Sequence, residues 1–420
     1  MFPFQPSPNA QSQRGRERLL LFILAAVHFT HCLDFMIILP LGQDLMRGFG
    51  ITPAQFGRMT AAYSFSAAVV GFLAGFVMDK VPRRAALLAL YAGMAIFTYA
   101  CALAPSYAWL VLARTMTGLC GGVAASVVSA IVADTVRPER RGRAMAVVGA
   151  AFPLAQVLGM PLGLWLADNF GWHAPFFLLG TICTAVFSVA LFAMPPVESV
   201  MSTAPPLAQM RAILTHRVHI RAFALSGMLL FAGALLAPFM PAYMEGNCGL
   251  AKGDISLMYF CGGVVVFFST NLFGRLSDCF DKFRVLCAIT VFTIASVFVI
   301  TRWESAPLWL TLALTTLFFV TMSGRFAPAM SMVANSIEAR YRGGFMSVNA
   351  AGQQASACLA HLLAGAMITS DAAGRLSGYG AVGIFAALCF VMTLVLAWRL
   401  REIAPWAARN KAGNSVDAPG

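Results

Sequence analysis

Charged residues are scarce in this sequence of 420 residues. Asp, Glu, Lys and Arg make up only 11% of it, whereas a soluble domain carries roughly 25%. Hydrophobic residues make up 59%, and the mean hydropathy is +0.77. The shortage of charge excludes an ordinary soluble domain and indicates a chain that is embedded in a lipid bilayer.

The sequence also lacks the residue patterns that catalysis and metal binding require. None of the ten cysteines is spaced from another as metal ligands are, and there is no nucleophile–base pair and no phosphate-binding loop. Unpaired cysteines in an apolar chain behave as small buried hydrophobic residues. We therefore expect no enzymatic activity, no metal and no cofactor.

Long apolar runs fill most of the chain. A helix that spans a bilayer needs ~20 mostly apolar residues. The runs predict an all-α integral membrane protein with twelve transmembrane helices, here called spans 1 to 12. They lie at about 19–42, 55–78, 85–104, 106–133, 144–167, 172–194, 220–243, 251–274, 285–302, 306–335, 344–368 and 377–398.

The spans fall into two groups of six. The longest polar break contains Pro195, Pro196, Pro205 and Pro206. The first apolar run is long and no small-residue cleavage site closes it, so we expect no cleavable signal. The predicted units are a disordered cytosolic N-terminal tail at 1–18, a six-helix bundle at 19–194, a cytosolic linker at 195–219, a second six-helix bundle at 220–398, and a fraying cytosolic C-terminal tail at 399–420.

The basic residues are distributed unevenly between the two sides. With both ends placed in the cytosol, the inner loops and tails hold 22 of the 29 Lys and Arg residues. Such an excess on one side is the positive-inside signal of a membrane protein. It accounts for the net charge of +12 without a nucleic-acid partner, and it predicts a multi-pass protein with both termini in the cytosol.

A charged turn occurs twice in the chain. Residues 75–84 read Gly-Phe-Val-Met-Asp-Lys-Val-Pro-Arg-Arg, and residues 274–284 read Gly-Arg-Leu-Ser-Asp-Cys-Phe-Asp-Lys-Phe-Arg. The shared glycine and the shared acid each recur after 199 residues. A second echo relates residues 137–145 to residues 338–346 at an interval of 201. Repeats of half the chain length predict two related bundles.

The repeated turn resembles the loop signature of the major facilitator superfamily, which lies between helices 2 and 3 and again between helices 8 and 9. The resemblance covers roughly residues 18 to 400 and implies two pseudo-symmetric six-helix bundles around a cavity near the bilayer midplane. Within the superfamily, the chain is similar to the twelve-helix, proton-coupled drug and metabolite exporters of the bacterial inner membrane, the drug:proton antiporter branch.

An acid in span 1 lies at a depth that a bilayer normally rejects. Asp34 is about eight residues from the outer end, which is ~12 Å deep, and a carboxylate there needs water or a partner. Burial favours the neutral form of a carboxyl, whereas a nearby cation favours the charged form, so Asp34 is a candidate proton carrier. Its alternative role is that of a fixed hydrogen-bond acceptor. His28 and His31 precede it at intervals of three, and His31 is either part of the proton coupling or a core histidine.

Arg114 in span 4 is the predicted partner of Asp34, because it lies at the same depth and an arginine cannot neutralise itself. Arg114 followed at four by Gly118 resembles the helix-4 signature of the superfamily. The resemblance implies that, as in its proton-driven exporters, the arginine tunes protonation of an acid on helix 1. A structural clamp on span 1 near Pro40 is the alternative. Span 5 is similar to the Gly/Pro-rich antiporter signature, although Met160 stands between the usual glycine and Pro161.

The second half contains an intramembrane cation without an intramembrane acid. Arg325 in span 10 is predicted to face the cavity and to anchor an anionic or carbonyl-bearing substrate. Its alternative is a cation that helix ends and water satisfy. Other polar residues predicted to line the substrate cavity are Tyr63, Gln156, Asn349, Gln353 and Gln354.

The resemblance also assigns a gating role to the repeated turns. Asp79 would face the N-terminus of span 11 across the seam between the halves, where the helix dipole stabilises a carboxylate. Arg83 could pair with Asp134. Solvated turn charges of little energetic weight are the alternative. The predicted gating residues are Gly75, Asp79, Arg83 and Asp134 in the first half, and Gly274, Asp278, Lys282 and Glu338 in the second.

Together these features predict a secondary active transporter that exports a small drug-like or metabolite molecule in exchange for protons. It would work as a monomer by alternating access, driven by the proton gradient. Two cations at membrane depth, Arg114 and Arg325, against the one carboxylate of Asp34 favour a neutral or anionic substrate. The alternatives are a proton-linked metabolite uptake carrier, or a non-transporting membrane sensor or lipid-interaction protein on the same scaffold.

Overall fold

The computed structural model describes residues 8–77, 81–195, 197, 206–304, 307–338, 341–404 and 406. Almost all of this chain is helical. The helices are α1 Pro8–Ile37, α2 Gly42–Phe49, α3 Pro53–Val77, α4 Arg83–Ala102, α5 Tyr107–Thr135, α6 Pro138–Gly149, α7 Ala151–Leu154, α8 Met160–Phe170, α9 Ala174–Ala193, α10 Pro206–Thr215, α11 Arg217–Ala234, α12 Met240–Gly246, α13 Lys252–Cys279, α14 Lys282–Ile300, α15 Leu308–Gly324, α16 Phe326–Asn335, α17 Arg342–Met367 and α18 Tyr379–Ile403. A π-helical turn, Ala155–Gly159, joins α7 to α8. The strands β1 Thr369–Ser370 and β2 Leu376–Ser377 form a small antiparallel hairpin.

Twelve spans are assigned from these helices. Spans 1, 2, 3, 4 and 6 are α1, α3, α4, α5 and α9, and span 5 runs from α6 through the π-helical turn to α8. Spans 7, 8, 9, 11 and 12 are α11, α13, α14, α17 and α18, and span 10 consists of α15 and α16. Counted over the described residues, nine of the twelve are long and apolar enough to cross a membrane by length and composition alone. The prediction of an all-α, twelve-helix membrane protein in two bundles is confirmed.

Some helices extend beyond the predicted spans. Helix α1 already begins at Pro8, within the tail that the sequence predicts to be disordered, and α18 continues to Ile403. The stretch predicted as a linker at 195–219 contains α10, whose Met210 and Ile213 are buried. Burial of one apolar face stabilises a short helix that composition alone would not predict. The division into units at the predicted boundaries stays a prediction.

Prolines break the first span of each half at equivalent places. Span 1 stops before Pro40 and span 7 before Pro238, because proline removes a helical N–H and disfavours the helical conformation of the residue before it. After each break the chain continues as a short helix, α2 in the first half and α12 in the second. These helices pack on each other. They lie on the side that the predicted orientation places outside the cell, which is called the outer face below.

A side-chain amide joins the two halves at this point. The Nε2 atom of Gln43 in α2 donates to the carbonyl oxygens of Ala242 at 3.0 Å and Gly374 at 2.9 Å. Gln43 and Ala242 are 199 residues apart, the same interval that separates the repeated turns. Residues related by the repeat therefore meet each other on the outer face, as expected for positions beside a pseudo-two-fold axis.

Spans 2 and 11 form the closest contact between the halves. A Cβ atom on Gly57 would lie 2.6 Å from the carbonyl oxygen of His361 and 2.9 Å from the Cα of Gly365. Farther along the same pair of helices, a Cβ on Gly71 would lie 3.7 Å from the Cβ of Ala351. Small residues of this kind allow two membrane helices to approach backbone to backbone.

Candidate functional site

The central feature of the first half is a buried ion pair. The side chains of Asp34 in span 1 and Arg114 in span 4 are 0% and 1% exposed, and Arg114 Nη1 lies 3.1 Å from Asp34 Oδ2. The second carboxylate oxygen lies 3.3 Å from the hydroxyl of Thr98 in span 3. Three helices thus converge on one carboxylate, and Thr98 is a site residue that the sequence analysis missed.

The surroundings of Arg114 explain why glycine follows it at four. The guanidinium carbon lies 4.5 Å from the ring centroid of Tyr63 in span 2, a cation–π distance. A Cβ on Gly118 would come within 2.4 Å of the Tyr63 carbonyl oxygen, so only glycine lets span 4 approach span 2 this closely. The close approach brings the arginine onto the ring.

The pair balances its own charge inside the membrane. Removing the negative partner of a buried pair is costly because it leaves the other charge uncompensated. The Nε of Arg114 has no hydrogen-bond partner among the described residues. A proton added to Asp34 would therefore leave a poorly satisfied buried cation, which is a strong physical reason for the surroundings to rearrange.

His31 and Tyr63 also belong to this cluster. The Tyr63 hydroxyl lies 3.4 Å from Nδ1 of His31, and the rings of His31 and His28 have centroids 6.1 Å apart. Both histidines are partly exposed, whereas Asp34 is fully buried. The sequence analysis assigned Tyr63 to the substrate cavity. The structure places it, only 1% exposed, beneath Arg114 and beside His31, and its part in substrate binding stays a prediction.

Arg325 lies at the junction of α15 and α16 in the second half, and it is 1% exposed. Its Nη2 lies 2.7 Å from the thioether sulfur of Met322, which is a weak acceptor, and its guanidinium carbon lies 4.2 Å from the ring centroid of Phe390. Nε and Nη1 have no hydrogen-bond partner in the described part of the chain. Arg325 is therefore a buried cation with unused donors.

The remaining residues predicted to line the cavity have separate surroundings. Gln156 lies in the π-helical turn of span 5, and its Oε1 has no partner among the described residues. Asn349 is buried and accepts a hydrogen bond from the Ser226 hydroxyl. Gln353 is half-buried, with its Nε2 3.8 Å from the Met330 sulfur. The structure does not bring these side chains into the Asp34 cluster.

Three predicted gating residues of the first half, Gly75, Arg83 and Asp134, lie at the inner ends of spans 2, 3 and 4. Gly75 is in the last turn of α3, and Asp79 lies outside the described residues. The Nε of Arg83 is 3.4 Å from Oδ2 of Asp134. This contact joins spans 3 and 4 within one half, and its part in gating stays a prediction.

The second copy of the turn is built differently. Asp278 is exposed at the end of α13, whereas Lys282 is buried at the start of α14. Asp281 caps α14 by accepting from the backbone N–H of Arg284 at 3.0 Å. No atom would lie within 4 Å of a Cβ on Gly274, and Glu338 is exposed before α17. The two copies therefore share a pattern but not the same contacts.

The outer face carries ion pairs that sequence reasoning did not find. Arg47 Nη1 lies 3.1 Å from Glu245 Oε1, and Lys252 Nζ lies 2.6 Å from Asp44 Oδ1. Both pairs join the first half to the second. We call these four residues the outer lock. Burial raises the pKa of the Glu245 carboxyl, and the neighbouring Arg47 opposes that rise.

No local motif predicts the outer lock, because its paired residues are about 200 residues apart in the sequence. The repeat is the one feature of the sequence from which the lock could have been predicted. Arg47 and Glu245 are separated by 198 residues, close to the interval between the two turns.

Two six-helix bundles that meet at small-residue contacts, with an ion pair buried at membrane depth, define a polytopic membrane transporter. A profile described as Major Facilitator Superfamily matches residues 24–237 and 222–418. The chain belongs to this family, whose members are transporters rather than enzymes.

Two relatives illustrate the range of the sequence comparison. The chain is 25% identical over 383 residues to the uncharacterized MFS-type transporter YceJ of Bacillus subtilis. That alignment covers 90% of this chain and 95% of the relative. It is 27% identical over 264 residues to the chloramphenicol resistance protein of Streptomyces lividans. That alignment covers 62% of this chain and 67% of the relative.

Among solved structures, a bacterial homologue of the human lysosomal transporter Spinster, in an inward-facing and occupied conformation, superposes with a TM-score of 0.73 at 14% identity. The match covers 94% of this chain and 99% of that one. At this identity, the likeness concerns the fold alone.

Proposed function

We propose that this protein exports a small molecule from the bacterial cytoplasm in exchange for protons. The observation that carries the proposal is the buried pair of Asp34 and Arg114. Among the described residues, the counter-charge of this acid is one neighbouring arginine, and such an acid inside a bilayer is costly to keep unless its charge has a use. Binding and release of a proton is that use.

The proposed cycle follows from the charges of this pair. When Asp34 is ionised, it holds Arg114 at 3.1 Å and ties span 1 to span 4. A proton from outside neutralises the carboxyl and weakens the tie, because the attraction between full charges is lost. The two bundles then rock about the cavity between them. Release of the proton inside restores the pair, and substrate moves the opposite way.

Gates at the two faces would alternate in this cycle. The outer lock joins the halves by two ion pairs, and we propose that it breaks when the outer face opens. On the inner side, we propose that Asp79 and Asp278 latch their turns to the opposite half, while the Arg83–Asp134 contact stiffens the first half. The direction of the proposed membrane topology, with both termini in the cytosol, rests on the excess of bases in the inner loops.

Two observations support export over uptake. A relative that matches 62% of this chain is the chloramphenicol resistance protein of Streptomyces lividans. Span 5 also carries the proline- and glycine-rich stretch around Pro153, Gly159 and Pro161, where the structure forms a π-helical turn. This stretch is the part of the sequence that resembles the antiporter signature, and π-helical turns occur frequently at functional sites.

The charges at membrane depth support a neutral or anionic substrate. Arg114 is already balanced by Asp34, whereas Arg325 keeps two donor nitrogens without partners among the described residues. A carboxylate or carbonyl oxygen of the substrate would satisfy those donors. A cationic substrate would meet an excess of like charge in a poorly screened cleft.

Transport into inside-out membrane vesicles tests the function. We expect vesicles that contain the parent protein to accumulate chloramphenicol, a neutral test compound, when the interior of the vesicles is made more acidic than the medium. Asp34→Asn should abolish accumulation, and the matched control Glu17→Gln, a surface acid of the same span, should not. Accumulation only in right-side-out vesicles would indicate uptake. A protein inert in both orientations against a wider panel of neutral and anionic compounds would contradict transport.

A further inference from the structure

The ion pair of Asp34 and Arg114 has no direct contact with solvent, so a proton that it takes up or releases needs a route. Both side chains are at most 1% exposed. The outer lock joins the two halves by ion pairs on the outer side. In the proposed cycle the proton leaves toward the inner side, so the side chains next to Asp34 on the inner part of span 1 are the place to look for a route.

Two histidines lie in that direction. His31 and His28 precede Asp34 by three and six residues, so all three point from neighbouring turns of one helix. Because span 1 runs outward from Pro8, His28 lies about 9 Å nearer to the inner end than Asp34 does. The ring centroids of His28 and His31 are 6.1 Å apart, a gap that one water molecule can bridge. Nδ1 of His28 is buried without a partner in the described structure.

The ring of His31 is held in one orientation by its neighbours. The Tyr63 hydroxyl lies 3.4 Å from His31 Nδ1. A Cβ on Gly121 would lie 2.7 Å from that nitrogen and 2.9 Å from the hydroxyl, so the glycine leaves room for this meeting. If the Nδ1–H of the neutral imidazole donates to the phenol oxygen, the lone pair of Nε2 stays free. A neutral histidine held in this way can accept a proton at Nε2 and release it again from the same nitrogen.

We infer that His31 and His28 carry the proton between Asp34 and the inner side of the cavity, with Tyr63 as the residue that positions His31. This inference rests on the proposed function. In the release direction, the Asp34 carboxylic acid gives its proton to His31, His31 gives a proton to water or to His28, and His28 gives one to the inner water. His31 and His28 return to their neutral forms, and Asp34 ends as the carboxylate beside Arg114, so one proton has moved from Asp34 to the inner water and the charges balance. The titratable or charged side chains around this route include Cys32, Tyr63, Cys101, Arg114, Cys120 and Cys183.

A light-triggered proton release in solutions of the purified protein tests the route without a transported compound. The readout is the infrared carbonyl band of protonated Asp34, identified by its absence in Asp34→Asn. We expect His31→Ala and His28→Ala to slow the rise of this band at least tenfold and to leave its final height unchanged. Added imidazole should restore the rate in both variants, because it can fill the space and carry the proton. A purely structural role would not respond to imidazole.

Milder variants guard against misfolding. His28→Gln and His31→Gln keep the size of the side chain and should also slow the band, and Tyr63→Phe should slow it less because the ring under Arg114 remains. His173→Gln, at the outer end of span 6, is the matched control and should leave the rate unchanged. A rate equal to the parent's in His28→Gln and His31→Gln would overturn the route and leave the proposed function intact. A parent protein with no band that depends on Asp34 would overturn both.

Discussion

Two arginines lie buried at membrane depth, and they differ in what compensates their charge. Arg114 has Asp34 at 3.1 Å and the Tyr63 ring at 4.5 Å. Arg325 has an aromatic ring and a thioether sulfur, and two of its nitrogens have no partner among the described residues. The first is a balanced pair, whose energy depends on keeping both members. The second is an unbalanced donor, whose energy depends on what binds it.

The balance of the first pair predicts that the double variant is more stable than the single variant. Asp34→Asn leaves Arg114 buried without a counter-charge, so the free energy of unfolding should fall by about 3–5 kcal/mol. Asp34→Asn combined with Arg114→Gln should recover part of that loss, because neither charge remains. Proton-driven flux should stay at least tenfold below the parent's in both. Thermal unfolding and vesicle flux measure the two effects, and near-parental flux in the single variant would contradict the carrier role of Asp34.

The imbalance at Arg325 predicts a trade between stability and binding. Arg325→Met removes donors that are buried and unsatisfied, each of which costs roughly 1–3 kcal/mol, so the protein without substrate should unfold at a higher temperature. Binding of neutral and anionic compounds should weaken, and Arg325→Lys should weaken it less because the charge remains. Thermal shifts with a compound panel measure both. Robust transport of a permanent dication that does not respond to Arg325→Met would contradict the predicted substrate charge.

At the scale of helices, the contact between spans 2 and 11 sets how closely the halves approach. Gly57 faces the backbone of span 11 at His361 and Gly365, and backbone atoms cannot give way as the end of a flexible side chain can. This pair of helices is therefore a stiff hinge surface rather than a loose seam. The proline breaks of spans 1 and 7 place α2 and α12 at the outer face, where these two helices contact each other.

Two glycine-to-alanine changes should have effects of opposite sign. Gly57→Ala places a methyl group 2.6 Å from a carbonyl oxygen, so we expect it to cost roughly 1–3 kcal/mol of unfolding free energy through overpacking. Gly352→Ala, within span 11, meets nothing within 4 Å and should stabilise the helix by up to about 1 kcal/mol. Thermal unfolding in the same lipid distinguishes them, and equal midpoints would show that the contact is not tight.

At the scale of the whole molecule, the ion pairs of the outer lock tie together residues from opposite ends of the sequence. Lys252 pairs with Asp44 and lies 3.9 Å from Asp168, so one cation of the second half meets two acids of the first. These side chains are partly exposed, and such pairs contribute ~0.2–1 kcal/mol each. Energies of that size suit a gate, because a gate must both hold and open.

Weakening the outer lock should shift the balance toward an outward-open state. Glu245→Gln combined with Asp44→Asn removes the negative member of both ion pairs in the outer lock and leaves only the longer contact of Lys252 with Asp168. A loss of ~1 kcal/mol changes the ratio of open to closed molecules about fivefold. Distances between spin labels on the outer ends of the two halves report this ratio. Glu17→Gln breaks the 3.1 Å pair with Arg140, which lies within one half, and serves as the control. An unchanged distance distribution in the double variant would exclude the gate.

The inner latch remains a prediction, since Asp79 lies outside the described residues. Asp79→Asn should slow turnover more than it weakens substrate binding, because it acts on the exchange between states. Asp278→Asn should have a smaller effect, because that side chain is exposed and Asp281 is the acid that caps the adjacent helix. Turnover measured beside binding checks this, and unchanged turnover in a folded Asp79→Asn protein would reduce Asp79 to a surface charge.

The sequence by itself determined the class of this protein, the number of spans and the repeat that relates its halves. These properties depend on how many apolar residues follow one another and on intervals along the chain, both of which can be counted. It also placed Asp34 and Arg114 at one depth, because the rise per residue of a helix is constant.

Only the tertiary structure decided which way each side chain faces and what it meets. Tyr63, which the sequence analysis assigned to the cavity, lies under Arg114, and Thr98 was not found at all. The outer lock joins side chains about 200 residues apart. Depth along a helix follows from counting, whereas rotation of a helix about its axis and the choice of neighbour follow from packing, which local sequence does not record.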